Sequence, residues 1–269
     1  MRASRVLNKL RANEVALCTK LNVADARVAQ IAALSGFDCI WTDMEHVAND
    51  WSAVEKQILA AAVHGVDTIV RVSKGGYSDY VRPLELDAAG IMIPHVMNAE
   101  EAREIVRLTK FHPLGLRPAD GGNADALFGM IPFQAYIREA NEQRFVILQI
   151  EDPEALSTID EMAALPGVDM LFFGPGDYSQ AIGVPGEIHH PLVNEARQRV
   201  AEAAVRAGKY AGTLGRPDKI PGLIAMGYRF ICTGADVFGL AKYYKDLLDQ
   251  VQCNVALPTS NEPNDGAYT

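Results

Sequence analysis

The chain has 269 residues, 49% of them hydrophobic, and its 25 Lys and Arg against 34 Asp and Glu give a formal net charge of −9. A net acidic chain without a basic stripe is a poor nucleic-acid binder. No apolar run approaches the roughly 18 residues of a membrane span. The start, MRASRVLNKLRANEV, has charges where a signal peptide is apolar. We therefore expect an enzyme-sized domain in the cytoplasm, with no nucleic-acid or membrane partner.

Short runs rich in Val, Ile, Phe and Thr recur along the chain. Most are near-continuously apolar, as expected for strands that are covered on both faces. Strands are predicted at 14–20, 37–43, 68–72, 90–96, 144–151, 170–174, 210–214 and 229–233.

The segments between most of these strands have alanine-rich faces typical of helices. Helices are predicted at 24–35, 51–64, 99–110, 154–165, 191–208, 217–226 and 238–250. Asn49 and Asp50 are both good N-caps for the helix that begins at 51, and the sequence does not choose between them. Asn98 is the expected cap of the helix at 99–110, and Pro191 suits a first turn.

Eight strands that alternate with helices in about 250 residues indicate an α/β protein built as a single (β/α)8 TIM barrel. We assign the barrel to residues 1–252 and a polar tail to 253–269. An open doubly wound sheet shares the alternation, but no GxGxxG motif follows a strand. The Gly- and Pro-rich segment within 113–130 is too long for a plain connection, which suggests an active-site loop.

Four cysteines, Cys18, Cys39, Cys232 and Cys253, show no CxxC spacing, so a zinc or redox motif is not indicated. The first three lie in apolar runs. We expect them to be buried, reduced thiols, as in a reducing compartment.

Polar residues cluster where the predicted strands end, which in a (β/α)8 barrel is the face of the active site. Glu151 and Asp177 come from the neighbouring strands five and six, and Gln149 faces the same way as Glu151. Two close carboxylates repel, and a divalent ion such as Mg²⁺ or Mn²⁺ would relieve the repulsion. The alternative is that Glu151 caps a helix and Asp177 a turn, and the spacing does not decide between the two.

Strands two and three contribute a second set of polar residues. Asp43 and His46 could form a carboxylate–imidazole pair, in which the carboxylate fixes the tautomer of the ring. Taken alone, the segment fits better a helix cap beside a solvated histidine. Arg71 lies inside the apolar run TIVRVSK, where it needs an anion or a carbonyl oxygen to face. His95 could support the site residues from behind, but a structural histidine is the favoured interpretation.

The turn Gly174-Pro175-Gly176-Asp177 follows strand six. Glycine lets the backbone approach a ligand, and exposed N–H groups bind anions. A small carboxylate could lie on the N–H groups of Gly176 and Asp177, although GPGD alone is a weak pattern.

Together these residues resemble the metal-dependent (class II) 2-keto-3-deoxy acid aldolases. This family includes 4-hydroxy-2-oxoheptanedioate aldolase and 2-keto-3-deoxy-L-rhamnonate aldolase, with relatives in macrophomate synthase and the citrate lyase beta chain. The matching stretches fall in the family's order: GFDCIWTDMEH (36–46), VRV (70–72), LDAAGIMIPHV (86–96), PLGLRP (113–118), ILQIE (147–151), FFGPGDYS (172–179) and GAD (234–236).

The resemblance implies a TIM barrel of the phosphoenolpyruvate/pyruvate-binding type, and a role for each matching residue. Glu151 and Asp177 would hold Mg²⁺, Mn²⁺ or Co²⁺. His46, supported by Asp43, would be the base, acting through a metal-associated water. Arg71 would bind the keto oxygen and stabilise the enolate.

The same resemblance places the pyruvate and the assembly. Gln149 would line the pyruvate pocket, and the amides of Gly176 and Asp177 would hold its carboxylate. The usual assembly is a homo-hexamer, a dimer of trimers that exchange the last helix. Pro118 stands where the family usually has glycine, and the loop after it also differs, in the region expected to hold the aldehyde.

The implied reaction is cleavage of a 4-hydroxy-2-keto acid to pyruvate and an aldehyde. Oxaloacetate decarboxylation and citrate-lyase-like cleavage of an acyl-CoA ester would use the same site. A non-catalytic scaffold or sensor would not need this set of charged strand-end residues. No lysine is clearly placed inside the barrel for a Schiff base, which argues mildly against the class I route.

Overall fold

A computed structural model describes residues 1–254. Its strands are β1 Ala16–Leu21, β2 Cys39–Asp43, β3 Asp67–Arg71, β4 Gly90–Ile93, β5 Phe145–Ile150, β6 Met170–Phe173, β7 Tyr210–Leu214 and β8 Tyr228–Ala235. Its α-helices are α1 Arg5–Arg11, α2 Ala26–Leu34, α3 Trp51–Ala62, α4 Tyr77–Glu85, α5 Ala99–Thr109, α6 Phe133–Gln143, α7 Ile159–Ala164, α8 Pro175–Ala181, α9 Pro191–Arg206, α10 Ile220–Ala225 and α11 Asp236–Asn254.

The eight strands form one closed barrel in chain order. Each strand is parallel to the next, and β8 pairs with β1. This confirms the (β/α)8 prediction over the open sheet. Because all strands run the same way, their carboxyl ends meet at one face of the barrel.

Local capping follows the sequence at several helices. Asp50, not Asn49, caps α3, since its side chain accepts from the N–H of Ala53. Asn98 caps α5 as predicted, and α9 begins at Pro191. Four further helices were not predicted from the sequence: α1, α4, α6 and α8.

The barrel interior is filled by large apolar side chains. Phe172 lies edge-on to both Trp41 and Phe230, with ring centroids 5.6 Å and 6.3 Å away. Gly212 makes room for this layer, because a Cβ there would lie 2.7 Å from the Phe172 ring. Each such side chain contributes about 1.5–3 kcal/mol by leaving water, so this layer is a major part of the core.

The amino-terminal face of the barrel is closed by α1. Its residues Val6, Leu7 and Leu10 pack into the interior cluster. Ser4 caps the helix, and its hydroxyl also donates to the buried Asp67 at 2.6 Å. The helix thus acts as a plug at the end of the barrel opposite the carboxyl ends of the strands.

Three of the cysteines meet inside the barrel. Cys18 is in register with Cys39 on one side and with Cys232 on the other, and all three are buried and free. Burial raises the pKa of the Cys18 thiol well above its ordinary value, which keeps it neutral. The prediction of buried thiols is confirmed for these three.

None of the helices in residues 1–254 is both long enough and apolar enough to cross a bilayer. The last helix, α11, continues to Asn254. The polar tail predicted for 253–269 therefore lies outside the described residues from position 255 onward.

Candidate active site

Arg71 and Asp43 form the centre of the carboxyl-terminal face. They stand opposite each other in the register of β2 and β3. Arg71 Nε donates to Asp43 Oδ1 at 2.9 Å, and Nη2 to Oδ2 at 2.5 Å. A buried guanidinium requires such an anion, so strand register supplies the partner that the sequence could not specify.

Lys20, the inward-facing residue near the end of β1, adds a second cation to Asp43. Its Nζ lies 2.7 Å from Asp43 Oδ2, and its side chain is 19% exposed against 0% for the aspartate. Burial alone would raise the pKa of Asp43, but Arg71 and Lys20 outweigh it and lower the pKa to about 2. Asp43 is therefore a permanently charged residue that fixes two cations.

The expected Asp43–His46 pair is not present in the structure. Both Asp43 oxygens are occupied by Arg71, and Oδ1 also accepts from the Glu45 N–H. The His46 side chain is 57% exposed, and its Nε2 lies 3.6 Å from Glu45 Oε2. The carboxylate beside His46 is thus Glu45, which also lies 2.8 Å from Arg71 Nη1.

Glu151 follows β5 and is almost completely buried, at 1% exposure of its side chain. Its Oε1 accepts from the His95 N–H at 3.1 Å, and its Oε2 from Gln149 Nε2 at 2.5 Å. Gly174 makes room for this carboxylate, because a Cβ there would lie 2.4 Å from Glu151 Oε2. The glycine of the predicted ligand-binding turn is thus required by Glu151.

The charge on Glu151 is incompletely compensated. Its pKa is raised to about 7, mainly by burial and also by the nearby Asp177 and Glu45, against the opposing effect of His95. A carboxyl group with such a pKa, lying in a cleft beside other carboxylates, is a recognised sign of a functional site. The predicted closeness of Glu151 to Asp177 agrees with this mutual repulsion.

Asp177 lies in the first turn of α8, with Gly176 beside it, and both are exposed. A Cβ on Gly176 would meet nothing within 4 Å, so there is open space above this turn. The N–H groups of a first helical turn have no partner within the helix and can face a ligand.

The donor set fits a hard divalent cation. It offers the carboxylate oxygens of Glu151 and Asp177, and the buried Gln149 Oε1 has no hydrogen-bond partner in the described residues. Oxygen ligands suit Mg²⁺ and Mn²⁺. Within residues 1–254, no three His, Cys, Asp or Glu side chains already stand in the geometry that holds a metal.

Three side chains at this site were missed or undervalued by the sequence reasoning: Lys20, Glu45 and His95. Side chains two residues apart in a strand face the same side. This alternation indicates Lys20 from Cys18, and it indicates Glu45 from Asp43. The His95 ring lies 3.7 Å from Glu151 Oε1, and its Nδ1 lies 2.9 Å from Asp152 Oδ2. No sequence signal reveals the φ of 50° that directs it there.

The long segment 113–130 connects α5 to α6, and its role as an active-site loop stays a prediction. It follows Lys110, whose Nζ donates to Arg144 O and to Asp169 at the amino ends of β5 and β6. Within the segment, Arg117 donates to the fully buried Asp125 at 2.8 Å. Pro118 lines a cavity of about 840 Å³ together with Lys74, which follows β3.

A cavity of about 860 Å³ adjoins the turn that carries Asp177. It lies between the ends of β7 and β8 and the start of α11. Its lining includes Gly176, Leu214, Thr233 and Phe238. There is space beside the predicted pyruvate pocket for a second reactant of several carbon atoms.

The fold is that of a (β/α)8-barrel enzyme, and the carboxyl ends of its strands bring together buried carboxylates and one arginine, at the face where such barrels carry their active sites. The chain belongs to the HpcH/HpaI aldolase/citrate lyase family, whose profile matches residues 21–242. It is accordingly a carbon–carbon lyase, and the family resemblance noted from the motifs is confirmed.

Individual relatives agree with this assignment. The chain is 33% identical over 248 residues to 2-keto-3-deoxy-L-rhamnonate aldolase of Escherichia coli strain K12, covering 90% of this chain and 89% of the relative. An HpcH/HpaI aldolase structure from Desulfitobacterium hafniense DCB-2 matches with a TM-score of 0.86 at 30% identity, covering 97% of this chain and 98% of that one. Macrophomate synthase matches with a TM-score of 0.81 at 28% identity, covering 93% and 88%.

Proposed function

We propose that the protein is a divalent-metal-dependent aldolase that cleaves a 4-hydroxy-2-keto acid to pyruvate and an aldehyde. The observation that carries this proposal is the buried Glu151, whose pKa of about 7 reflects burial, and whose neighbours include Asp177 and Glu45. Glu151 and Asp177 would hold Mg²⁺, Mn²⁺ or Co²⁺. When bound, the ion supplies a Lewis acid for the 2-keto acid.

Arg71 provides the fixed positive charge of the reaction. Its two bonds to Asp43 hold the guanidinium plane, and its side chain is only 5% exposed. In this proposal the guanidinium donates to the C2 oxygen of the keto acid. It stabilises the negative charge that develops there as the C3–C4 bond breaks and the pyruvate enolate forms.

His46 is the proposed base. Its exposed ring is free to accept the proton of the C4 hydroxyl, which starts the cleavage and releases the aldehyde. Glu45, rather than Asp43, is the carboxylate placed to stabilise the imidazolium, at 3.6 Å from Nε2. Asp43 acts on the reaction through Arg71 and is therefore a positioning residue.

The pyruvate end of the substrate has its own binding groups. Gln149 lies beside Glu151 and would line the pyruvate pocket, while the N–H groups of Gly176 and Asp177 would hold the carboxylate. The adjoining cavity would accept the aldehyde half. Small 2-keto acids and aldehydes are therefore the proposed substrates.

The proposal also covers assembly. Large apolar side chains of α11 are exposed: Phe238, Tyr243, Tyr244, Leu247, Leu248 and Val251. An isolated monomer rarely exposes such a surface, so we assign it to contact with further copies of the chain. The proposed assembly is a hexamer, a dimer of trimers, which native mass spectrometry will test directly.

A cytoplasmic location is proposed with it. The support is that Cys18, Cys39 and Cys232 are free thiols although they face each other in register. Thiols persist in this form in a reducing compartment.

The deciding experiment measures pyruvate release from a series of 4-hydroxy-2-keto acids, with oxaloacetate and CoA thioesters assayed in parallel. Glu151→Gln and Asp177→Asn should lose both bound metal and activity, and pyruvate C3 protons should exchange with D₂O only in the metal-loaded enzyme. Full activity of the metal-stripped enzyme would refute the proposal. Turnover of oxaloacetate or a CoA thioester alone would replace the aldol reaction by one of the alternatives.

A further inference from the structure

Four arginine side chains are buried in the part of the chain that the structure describes: Arg71, Arg117, Arg144 and Arg197. The first three each pair with a carboxylate, on Asp43, Asp125 and Asp87 respectively. No carboxylate of residues 1–254 pairs with Arg197, which is only 6% exposed. A guanidinium stays charged in a protein, and burying it is costly without an anion.

The bonds that Arg197 does make all go to neutral groups. Nη2 donates to the Ile188 carbonyl oxygen at 3.0 Å, and Nη1 donates to Asn194 Oδ1. Nε is buried and has no hydrogen-bond partner in the described residues. Burial lowers the pKa of Arg197, whereas in Arg71 the bonds to Asp43 outweigh the same effect and raise the pKa. The Arg197 guanidinium thus keeps an unused donor and an uncompensated charge.

Arg197 lines the cavity of about 860 Å³ beside the turn that carries Asp177. Ile188 precedes α9, so the guanidinium points back toward the start of that helix, as helical side chains generally do. Gly176, whose N–H is proposed to hold the pyruvate carboxylate, lines the same cavity. The cavity and the proposed pyruvate pocket therefore share a wall.

Much of the remaining cavity wall is apolar or cationic. Arg216 and Lys219, in the segment after β7, are lining residues, and no Asp or Glu of the described part of the chain is among them. Asp218 pairs with both cations, at 3.3 Å and 3.6 Å, and all three of these side chains are exposed. The apolar part of the wall includes Leu214, Leu223, Met226 and Phe238. In (β/α)8 barrels, the loops after strands seven and eight frequently bind phosphate.

We propose that this cavity binds the phosphate group of a short organic phosphate monoester, with Arg197 as the buried cation of the site. Its three Arg and Lys side chains, against the one carboxylate of Asp218, leave an excess of two positive charges. A phosphate monoester carries about −1.5 to −2 charges at pH 7, which matches this excess better than a single carboxylate does. The apolar wall accommodates a short carbon chain.

The position beside Gly176 indicates which molecule carries the phosphate. A ligand that extends from the pyruvate pocket into this cavity is the keto acid itself, so the phosphate lies at the far end of its aldehyde half. Cleavage of the C3–C4 bond would then release a phosphorylated aldehyde, with no bond to phosphorus formed or broken. This assignment rests on the proposed function, whereas the phosphate site itself does not.

The first test measures binding without turnover. Titration calorimetry on the metal-stripped full-length protein compares glycerol 3-phosphate with glycerol, which lacks the phosphate, and with glycerate, which carries a carboxylate instead. Glycerol 3-phosphate should bind most tightly, and Arg197→Gln should weaken its binding about 10–100-fold through loss of charged hydrogen bonds. Arg199→Gln is the matched control and should leave the affinity unchanged, because Arg199 pairs with the exposed Asp160 on the same helix's surface.

A second variant keeps this test decisive if Arg197→Gln does not fold. Arg216→Gln combined with Lys219→Gln changes only exposed side chains and should weaken glycerol 3-phosphate binding about two- to tenfold. The site is overturned if glycerol or glycerate binds as tightly as the phosphate, or if neither variant weakens binding. The latter result would leave Arg197 as a structural support for Ile188 and Asn194. Weakening by Arg71→Lys alone would place the probe in the pyruvate pocket and also overturn the site.

The second test asks whether the phosphate belongs to the substrate. In the direction of aldol addition to pyruvate, the metal-loaded enzyme should have a KM for glyceraldehyde 3-phosphate about 10–100-fold below that for glyceraldehyde. Arg197→Gln should remove this difference, and Arg199→Gln should keep it. Equal KM values in an active wild type would overturn the substrate assignment. Absence of addition with either aldehyde, together with binding of glycerol 3-phosphate that depends on Arg197, would count against the proposed function and leave the phosphate site standing.

Discussion

The two ends of the barrel both bury charged side chains, but they balance them differently. At the amino-terminal end, Asp67 accepts from Arg2 Nη1 at 2.8 Å, from the Ser4 hydroxyl and from the Val6 N–H. At the carboxyl-terminal end, Glu151 accepts from an amide side chain and a backbone N–H, and within residues 1–254 no Lys or Arg side chain donates to it.

This difference separates the charges that stabilise the fold from those proposed to act in catalysis. A buried charge with a complete set of partners destabilises the native state when one of those partners is removed, because the other charge is left buried and unpaired. A charge left short of partners costs stability and is retained where a ligand completes it. The following predictions test this contrast, from the largest expected effect to the smallest.

Breaking the amino-terminal network should cost stability and spare catalysis. Asp67→Asn leaves Arg2 without its buried partner, and we expect a loss of about 3–5 kcal/mol in the free energy of unfolding. Urea denaturation gives the loss, and kcat per folded enzyme should stay at the wild-type value. A fall in kcat would instead mean that the amino-terminal network also affects catalysis.

The reverse outcome is expected at the carboxyl-terminal end. Arg71→Lys keeps a positive charge but loses the two-pronged geometry, and we expect kcat to fall by about 10²–10³-fold, as for loss of one oxyanion donor. Steady-state kinetics with a cleaved keto acid measure this. Arg5→Lys, on the partly exposed Asp38 pair at the other end, is the matched control and should change nothing.

Neutralising Glu151 should stabilise the metal-free protein. A carboxyl group whose pKa is raised from 4.5 to about 7 in the folded state costs stability as pH rises through that window. At pH 8 and without divalent ions, Glu151→Gln should gain on the order of 1–3 kcal/mol, and at pH 4 nothing. Thermal unfolding of both proteins at the two pH values measures this difference in stability. An equal difference at pH 4 and pH 8 would show that the charge of Glu151 is not its cause.

Asp43 should behave in the opposite way with pH. Its folded-state pKa is about 2, below the ordinary 3.8, so its stabilisation is present above pH 4 and is lost as pH falls through 2. The stability difference between wild type and Asp43→Asn should therefore shrink by about 2 kcal/mol between pH 5 and pH 2. Urea titrations of both proteins at these pH values measure it. A constant difference would assign the effect to packing.

The fold was predictable because each barrel unit carries a local signal. Apolar runs such as FVILQI and caps such as Asn98 lie where the strands and helices were expected. The helix α4 escaped prediction because Pro83 lies inside it, and proline normally interrupts a helix.

The candidate site was only partly predictable. Strand ends brought Arg71, Glu151 and Asp177 into consideration, because the carboxyl ends of parallel strands converge. The partner of Asp43 was not accessible, since it depends on the register that sets Asp43 opposite Arg71. The position of the His95 ring depends on the left-handed backbone conformation of His95 itself. That conformation could not be predicted, because the residue is not a glycine.

Trp41 gives this site an optical consequence. The chain has two tryptophans, and Trp41 lies under both cations of the site, with Arg71 Cζ 4.9 Å and Lys20 Nζ 5.6 Å from its ring centroid. The fluorescence of an indole depends on the charges beside it. In Trp51→Phe, the remaining emission would come from Trp41 alone. A ligand that binds beside Arg71 or Lys20 would then change the intrinsic fluorescence of the enzyme.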